Sequence, residues 1–270
     1  MTAPLLEFDD LGVDLDDRAL VESVSLSVAP GERVGIIGES GSGKSLTALA
    51  ALGLLAHPLR ARGAVRVRSS EGVVDAVAAS QRTLDGVRGT VLGAVFQEPL
   101  ASLDPLMRVG GQLAWPLRRH RGLRGDELKR AVLDALADVK LAEPERVARS
   151  YIHEISGGQR QRVAIALALA GSPDLLIADE PTTALDVTVQ AGVLDLLQRE
   201  VTERGMALLF ISHDLPVVTR MTDRVLVMKG GRQIEVADTA TLVSAPVEPY
   251  TRELVAASRA LDDLLPKETR

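Results

Sequence analysis

The chain has 270 residues, a formal charge of −6 and no cysteine. The missing cysteines exclude disulfides, thiolate zinc sites and cysteine-held iron–sulfur clusters, and the acidic balance argues against a non-specific nucleic-acid binder, which needs a basic face. Apolar residues make up 46% of the chain and aromatic ones 2%, so a sizeable core built from Leu, Val, Ile and Ala is expected.

Taken in order, residues 5–8 and 24–28 have strand character, the second alternating polar and apolar. Pro30-Gly31 marks a turn, and the apolar run 34–37 stops at Gly38. Residues 46–55 predict a helix, and 65–68 and 91–96 predict strands. Beyond Phe96 the pattern changes. Leu128, Val132, Leu133, Leu136 and Val139 recur at helical spacing, which predicts a helix over 126–141 with Asp126 as its N-cap. Residues 97–159 therefore read as a mostly helical insertion. Strand–helix alternation then returns: strand 175–178, helix 187–203, strand 207–211, and strands 224–228 and 233–236 flanking the turn Lys229-Gly230-Gly231-Arg232. Such alternation predicts an α/β fold with a mostly parallel sheet. One domain over 1–256 is expected, with a charged C-terminal tail over 257–270. The apolar runs at 46–56 and 163–170 are shorter than the ~20 residues a membrane helix needs. The start, MTAPLLEFDD, has no basic opening followed by an apolar run, so no signal peptide is expected.

Two stretches carry chemistry. Gly38-Glu39-Ser40-Gly41-Ser42-Gly43-Lys44-Ser45 fits G-x-x-x-x-G-K-[ST] without a mismatch. A polyphosphate needs many donors, and backbone N–H groups converge on it only where side chains do not intervene. The helix that follows turns its positive end to the same phosphates. Lys44 would reach the β- and γ-phosphates, and the Ser45 hydroxyl would ligate Mg²⁺. The bland alternative is a Gly/Ser turn, but an apolar strand precedes the loop and a helix follows it. The second stretch, Leu175 to Glu180, is an apolar run ending in two acids, Asp179 and Glu180. Such a strand sets carboxylates at the edge of a sheet where ligands bind. Asp179 would hold Mg²⁺, directly or through water, and Glu180 would orient or deprotonate an attacking water.

Ile155-Ser156-Gly157-Gly158-Gln159 resembles the signature motif of ABC (ATP-binding-cassette) ATPases, with Ile in place of the usual Leu. A helix start capped by Ser156 explains the same residues locally. The order of phosphate loop, Gln97, signature, acidic strand, Thr183-Ala184-Leu185-Asp186 and His213 is similar to the family layout from about residue 5 to 255. The resemblance implies a P-loop ATPase core with an N-terminal antiparallel β-subdomain and the helical subdomain at about 97–159. It implies head-to-tail dimers in which Ser156, Gly157, Gly158 and Gln159 meet the nucleotide of a second subunit. It further implies that Gln97 touches Mg²⁺ or the water and senses a membrane partner, that Asp186 organises the dimer interface, and that His213 contacts the γ-phosphate and helps position Glu180. The cofactors implied are ATP and Mg²⁺.

Phe96 to Pro105, His153 to Arg162, Pro181 to Gln190 and Glu248-Pro-Tyr-Thr-Arg-Glu-Leu254 look like the peptide/nickel importer branch. That branch implies solute import, of peptide, nickel or a metal chelate, at the cytoplasmic face of a membrane. The implied partners are a related second ATPase, two membrane-spanning permease subunits and, indirectly, an extracellular solute-binding protein, with no nucleic acid. Two other classes compete: the ATPase of an exporter, and a soluble ABC ATPase acting on nucleic acid or ribosomes. The importer-like strings argue against the first, and the absence of long coiled coils, zinc modules and a basic face argues against the second. One departure stands out. The family usually stacks adenine on an aromatic side chain upstream of the loop, yet none occurs near Leu15 and Asp16.

Overall fold

The computed structural model describes residues 3–183 and 186–264. They fall into two units, one taking the chain up to Ala79 and again from Leu208, the other Ser80–Ala207.

The first unit opens with β1 (Leu6–Leu15), β2 (Arg18–Val28), β3 (Arg33–Ile37), α1 (Lys44–Leu52), β4 (Leu59–Ser69) and β5 (Gly72–Asp75). β1 pairs antiparallel with both β2 and β4, and β4 with β5. This is the N-terminal antiparallel portion implied by the resemblance. β1 buries Leu6, Phe8, Leu11 and Val13, with irregularities in its register between Phe8 and Asp14. α1 stops at Leu52, short of the expected end at 55, because Gly53 takes a left-handed conformation (φ 60°) and its N–H bonds back to the helix carbonyls.

The second unit contains α2 (Gln81–Val87), β6 (Leu92–Val95), α3 (Val109–Arg121), α4 (Gly125–Asp138), α5 (Pro144–Arg149), α6 (Gly157–Leu169), β7 (Leu175–Asp179) and α7 (Val187–Arg204). β6 and β7 are parallel neighbours. Helices α3, α4 and α5 pack on one another around Leu113, Leu117, Leu136 and Val147, within the stretch expected to be helical. Asp126 is not the N-cap of α4. The cap position is Arg124, and the Asp126 carboxylate lies in the first turn, 2.8 Å from the Lys129 ammonium. The helix begins at Gly125, so Asp126 is already its second residue and not the flanking cap position, and its acid sits favourably at the positive end of the helix.

The chain returns to the first unit through β8 (Ala207–Ser212), α8 (Leu215–Met221), β9 (Arg224–Lys229), β10 (Arg232–Asp238), α9 (Thr239–Ser244) and α10 (Pro249–Leu264). β9 and β10 form the expected antiparallel hairpin, and β3 lies between β8 and β9, parallel to both. Strand order in this unit is β5-β4-β1-β2-β10-β9-β3-β8. The parallel strands are apolar on both faces, with Val34, Ile36, Ile37, Leu208, Leu209, Phe210 and Ile211 fully buried, as a sheet covered on two sides requires. α10 runs to Leu264, into the stretch expected as a charged tail. Among the described residues, no helix is long and apolar enough to cross a membrane.

Candidate functional site

In the first unit the apolar strand β3 delivers the chain into the loop 38–43 and then into α1. Two glycines are required there by sterics. A Cβ on Gly38 would sit 2.1 Å from the Met228 carbonyl oxygen, far inside carbon–oxygen van der Waals contact. Gly43 has φ 96°, and a Cβ there would lie 2.8 Å from Val21. The loop is braced from below by the β9–β10 hairpin, since the Gly231 N–H donates to the Ser42 carbonyl at 3.2 Å. Lys44 is 4% exposed. Its Nζ donates to the carbonyls of Gly38 (2.7 Å) and Glu39 (2.8 Å), which fold the lysine back over the loop. Thr47 bonds to the Gly43 carbonyl through both its amide and its hydroxyl. Ser45, Glu39 and Ser40 are exposed. The result is a rigid ring of backbone around a buried cation, open to solvent at the helix N-terminus.

His213 belongs to the same unit. The parallel register pairs Ile37 with Ser212, so Gly38 and His213 leave the sheet side by side at one edge. His213 is exposed. The next residue, Asp214, caps α8, and its N–H donates to Ser212 Oγ at 3.0 Å.

The second unit holds the carboxylates. β7 is buried along its whole length, Asp179 included at 7% exposure. The register pairs Val95 with Ala178, which places Gln97 and the pair Asp179-Glu180 beyond the same end of two adjacent strands. Glu180 takes φ 47°, a left-handed conformation uncommon for any residue but glycine and costing about 1 kcal/mol or more. Thr183 holds the turn, its hydroxyl donating to Glu180 Oε2 at 2.8 Å and its amide to the Glu180 carbonyl. Strain of this kind clusters where a side chain must be aimed.

Ser156 caps α6 as its local chemistry predicts. Its hydroxyl accepts from the Gln159 N–H, and the Gln159 side chain accepts from the Ser156 N–H, a reciprocal capping box. Ser156 and Gly157 are nevertheless exposed, and a Cβ on Gly157 would meet nothing within 4 Å. Ile155 is buried beneath them, a packing role that either Ile or Leu fills. Asp186 caps α7, accepting from Val189 N–H at 2.9 Å, and is exposed. Ala184 and Leu185 lie outside the described residues.

The sequence-derived residues thus gather within each unit: the loop with His213 in one, and Gln97, Asp179 and Glu180 at one strand end in the other. The missing aromatic has no substitute at its expected place. Leu15 is half-buried at the end of β1, opposite Leu59, and Phe8 is a core residue at 2% exposure. The sequence announced the hairpin but not its bracing of the loop, because nothing in a local pattern says that Met228 and Gly231 would meet that loop.

A family model described as ABC transporter matches residues 21–183. A peptidoglycan transport ATP-binding protein of Agrobacterium fabrum, YejF, is 44% identical over 260 residues. The match takes in 95% of this chain and 47% of the relative, so the chain spans about half the length of that protein. A Brucella ovis protein named for peptide import and ATP binding is 43% identical over 267 residues, 96% of this chain and 79% of the relative. Among solved structures, the ATP-binding cassette MJ0796, a dimer in a post-hydrolysis state bound to ADP and Pi, superposes with a TM-score of 0.75 at 28% identity. That likeness covers 87% of this chain and 98% of the cassette.

Proposed function

The chain belongs to the ABC transporter ATPase family, and we propose that it is the ATP-hydrolysing subunit of an importer whose membrane-spanning parts are other chains. The observation that carries the reading is the phosphate loop: glycines where a side chain cannot fit, and a buried Lys44 folded over two loop carbonyls. In the presence of ATP the lysine exchanges those carbonyls for phosphate oxygens, and the α1 amides provide the neutral donors around them.

Glu180 orients or deprotonates the attacking water. Its tight turn and the Thr183 bond support a carboxylate held in one place. His213 steadies the terminal phosphate. Ser45 in the first unit offers a hydroxyl, and Gln97 and Asp179 in the second offer an amide oxygen and a carboxylate, each a hard oxygen donor of the kind Mg²⁺ takes. Mg²⁺ accompanying ATP would neutralise charge on the phosphates. The turn of Ser156, Gly157, Gly158 and Gln159, exposed at Ser156 and Gly157, serves the nucleotide of a second ATPase subunit, with Asp186 at the same interface. The dimeric state of the MJ0796 cassette supports this arrangement.

Import is favoured by the names of the Agrobacterium and Brucella relatives, which also make peptide-like solutes the preferred cargo class. The helical segment after Gln97 is the proposed contact with the permease subunits. Leu100 (53%), Leu106 (86%), Met107 (43%) and Trp115 (60%) expose apolar surface along it, which supports a docking role. The protein would then act peripherally on the cytoplasmic side of the membrane.

Glu180→Gln tests the mechanism. Binding of ATP should be retained while hydrolysis falls by about 10²- to 10⁴-fold, the usual worth of a positioned acid–base group. Turnover at the unsubstituted rate would remove Glu180 from the chemistry.

A further inference from the structure

The chain is acidic as a whole, yet from Arg118 to Arg124 it carries four arginines, a histidine and no acid. Arg118, Arg119, Arg121 and Arg124 are all exposed and lie at or just past the C-terminal end of α3, in the second unit. Other surface arginines are answered by carboxylates: Arg33 by Asp223, Arg66 by Asp9, Arg146 by Glu143. Among the described residues, none of these four guanidinium groups has a carboxylate partner. The next acids along the chain, Asp126 and Glu127, follow in α4, and the first is paired with Lys129. The local fold does not call for the cluster either. A helix C-terminus favours cations, but Arg118 and Arg121 stand one turn apart as like charges. Arg124 occupies the cap position of α4, the positive end of that helix, where a cation is unfavourable. Trp115 joins the patch. Helical spacing sets it one turn before Arg118 and Arg119, opposite the buried Leu113 and Leu117. Its ring is 60% exposed, with the Arg119 guanidinium 5.4 Å from its centroid.

We propose that this end of α3 binds an anionic bilayer surface, its guanidinium groups taking lipid phosphates and Trp115 seated at headgroup level. The reading rests on the membrane-peripheral role given above and adds to it a direct contact with lipid. Charge complementarity selects the occupant. The cytoplasmic leaflet carries anionic headgroups, whereas the cytoplasmic loops of membrane proteins carry an excess of Lys and Arg. Arginines beside a permease therefore find their counter-charge in the lipid and not in the permease. A guanidinium pairs with phosphate through two parallel N–H···O bonds, and an indole next to it suits the boundary between water and hydrocarbon. The patch also continues, along the chain, the apolar segment from Leu100 to Trp115 assigned above to the permease contact. An acidic protein is repelled by an anionic surface everywhere except at a basic patch, so the contact that holds the chain also sets which face it turns to the membrane.

Cosedimentation of the full chain, without nucleotide, provides the test. The probes are vesicles of phosphatidylcholine alone and of phosphatidylcholine mixed equally with phosphatidylglycerol. Each basic residue close to an anionic surface contributes about fivefold to partitioning. The unsubstituted chain should therefore favour the mixed vesicles by about tenfold or more at about 0.1 M salt. That preference should vanish at about 1 M, where the Debye length falls from about 10 Å to about 3 Å. The variant Arg118→Gln/Arg121→Gln/Arg124→Gln leaves Arg119 on Trp115. It should lose about tenfold or more of the preference, with a melting temperature within about 4 °C of the unsubstituted chain. Arg60→Gln/Arg66→Gln/Arg68→Gln removes the same charge from β4 and should keep the preference. Equal retention by the two vesicle types overturns the inference, as does an unchanged preference in the α3 variant or an equal loss in the β4 variant. Poly-glutamate serves as a soluble probe for the rival partner: a chain that binds it and ignores the mixed vesicles assigns the patch to an acidic polypeptide and overturns the lipid reading. A fluorescent ATP analogue is titrated into the same proteins, and the α3 variant should bind it as the unsubstituted chain does. Analogue binding without vesicle binding strikes this inference alone. Vesicle binding without analogue binding strikes the nucleotide reading and leaves the patch standing.

Discussion

The phosphate loop and the Ser156 turn are both glycine-rich, both open a helix and both leave polar groups exposed, yet they are built on opposite plans. Two positions of the loop leave no room for an added atom, Gly38 against a carbonyl at 2.1 Å and Gly43 against Val21 at 2.8 Å, while Gly41 between them has space around it. Around Gly157 there is open space, although a Cβ on the next residue, Gly158, would lie 2.8 Å from Val189. A loop that must grip a ligand by itself is preorganised by its own fold, so that no ordering remains to be done on binding. A turn that is completed only by a second subunit needs a clear approach, and its glycine keeps side chains out of an interface that does not yet exist.

Gly38→Ala should break the first half of that contrast with the largest effect. The added methyl overlaps backbone, which cannot swing aside, so a stability loss of about 2 kcal/mol or more is expected together with lost nucleotide binding. Chemical denaturation of the purified variant measures it, and wild-type stability would show the loop to be softer than its contacts imply. Ser156→Ala comes next. Removing the capping oxygen should cost about 1 kcal/mol and, beyond that, lower hydrolysis in the assembled dimer. A variant that loses stability but hydrolyses normally with its partner would confine Ser156 to capping.

Acid titration sharpens the same comparison by acting on the loop side. Burial opposes the Glu235 charge, but the N–H bonds from Val247 and Glu248, with the Thr251 hydroxyl and the Arg252 charge nearby, outweigh it and hold its pKa below the ordinary carboxylate value. A depressed carboxylate contributes stability that is present above its unfolded pKa, about 4.3, and is lost as pH falls through the folded value. The melting temperature of the unsubstituted chain should therefore drop more steeply below about pH 4.3 than that of Glu235→Gln. Parallel curves would mean that α10 is not anchored through this group. The smallest stability change is expected for Gly157→Ala, within about 0.5 kcal/mol, since no atom stands near the new methyl. Its effect should appear only in turnover by the assembled ATPase pair, and intact turnover there would remove Gly157 from the interface.

Much of the chain was legible because local chemistry left few choices. An apolar strand, a glycine-rich turn and a lysine at a helix start can hardly be anything else, and the run 175–178 reads as a buried strand from its side chains alone. Ser156 was legible twice, as cap and as candidate contact, and the structure accommodates both because its hydroxyl binds inward while the turn faces solvent. Asp126 was misjudged as a cap because the helix starts at Gly125, ahead of the apolar spacing from which its start was read, so Asp126 falls inside the first turn. α1 was drawn too long because Gly53 was weighed as one residue in an apolar run and not as the left-handed stop that it is.

The sequence by itself determined the chemical parts: the loop, the two acids, the capping turn and their order, since each depends on residues adjacent in the chain. Only the tertiary structure decided why Gly38 must be glycine, how the β9–β10 hairpin braces the loop, and that the Tyr250 ring comes to lie under Lys229 at the end of β9. Those facts arise where strands distant in sequence become neighbours in a sheet. Steric exclusion and burial act between atoms close in space, and one-dimensional pattern has no access to that distance.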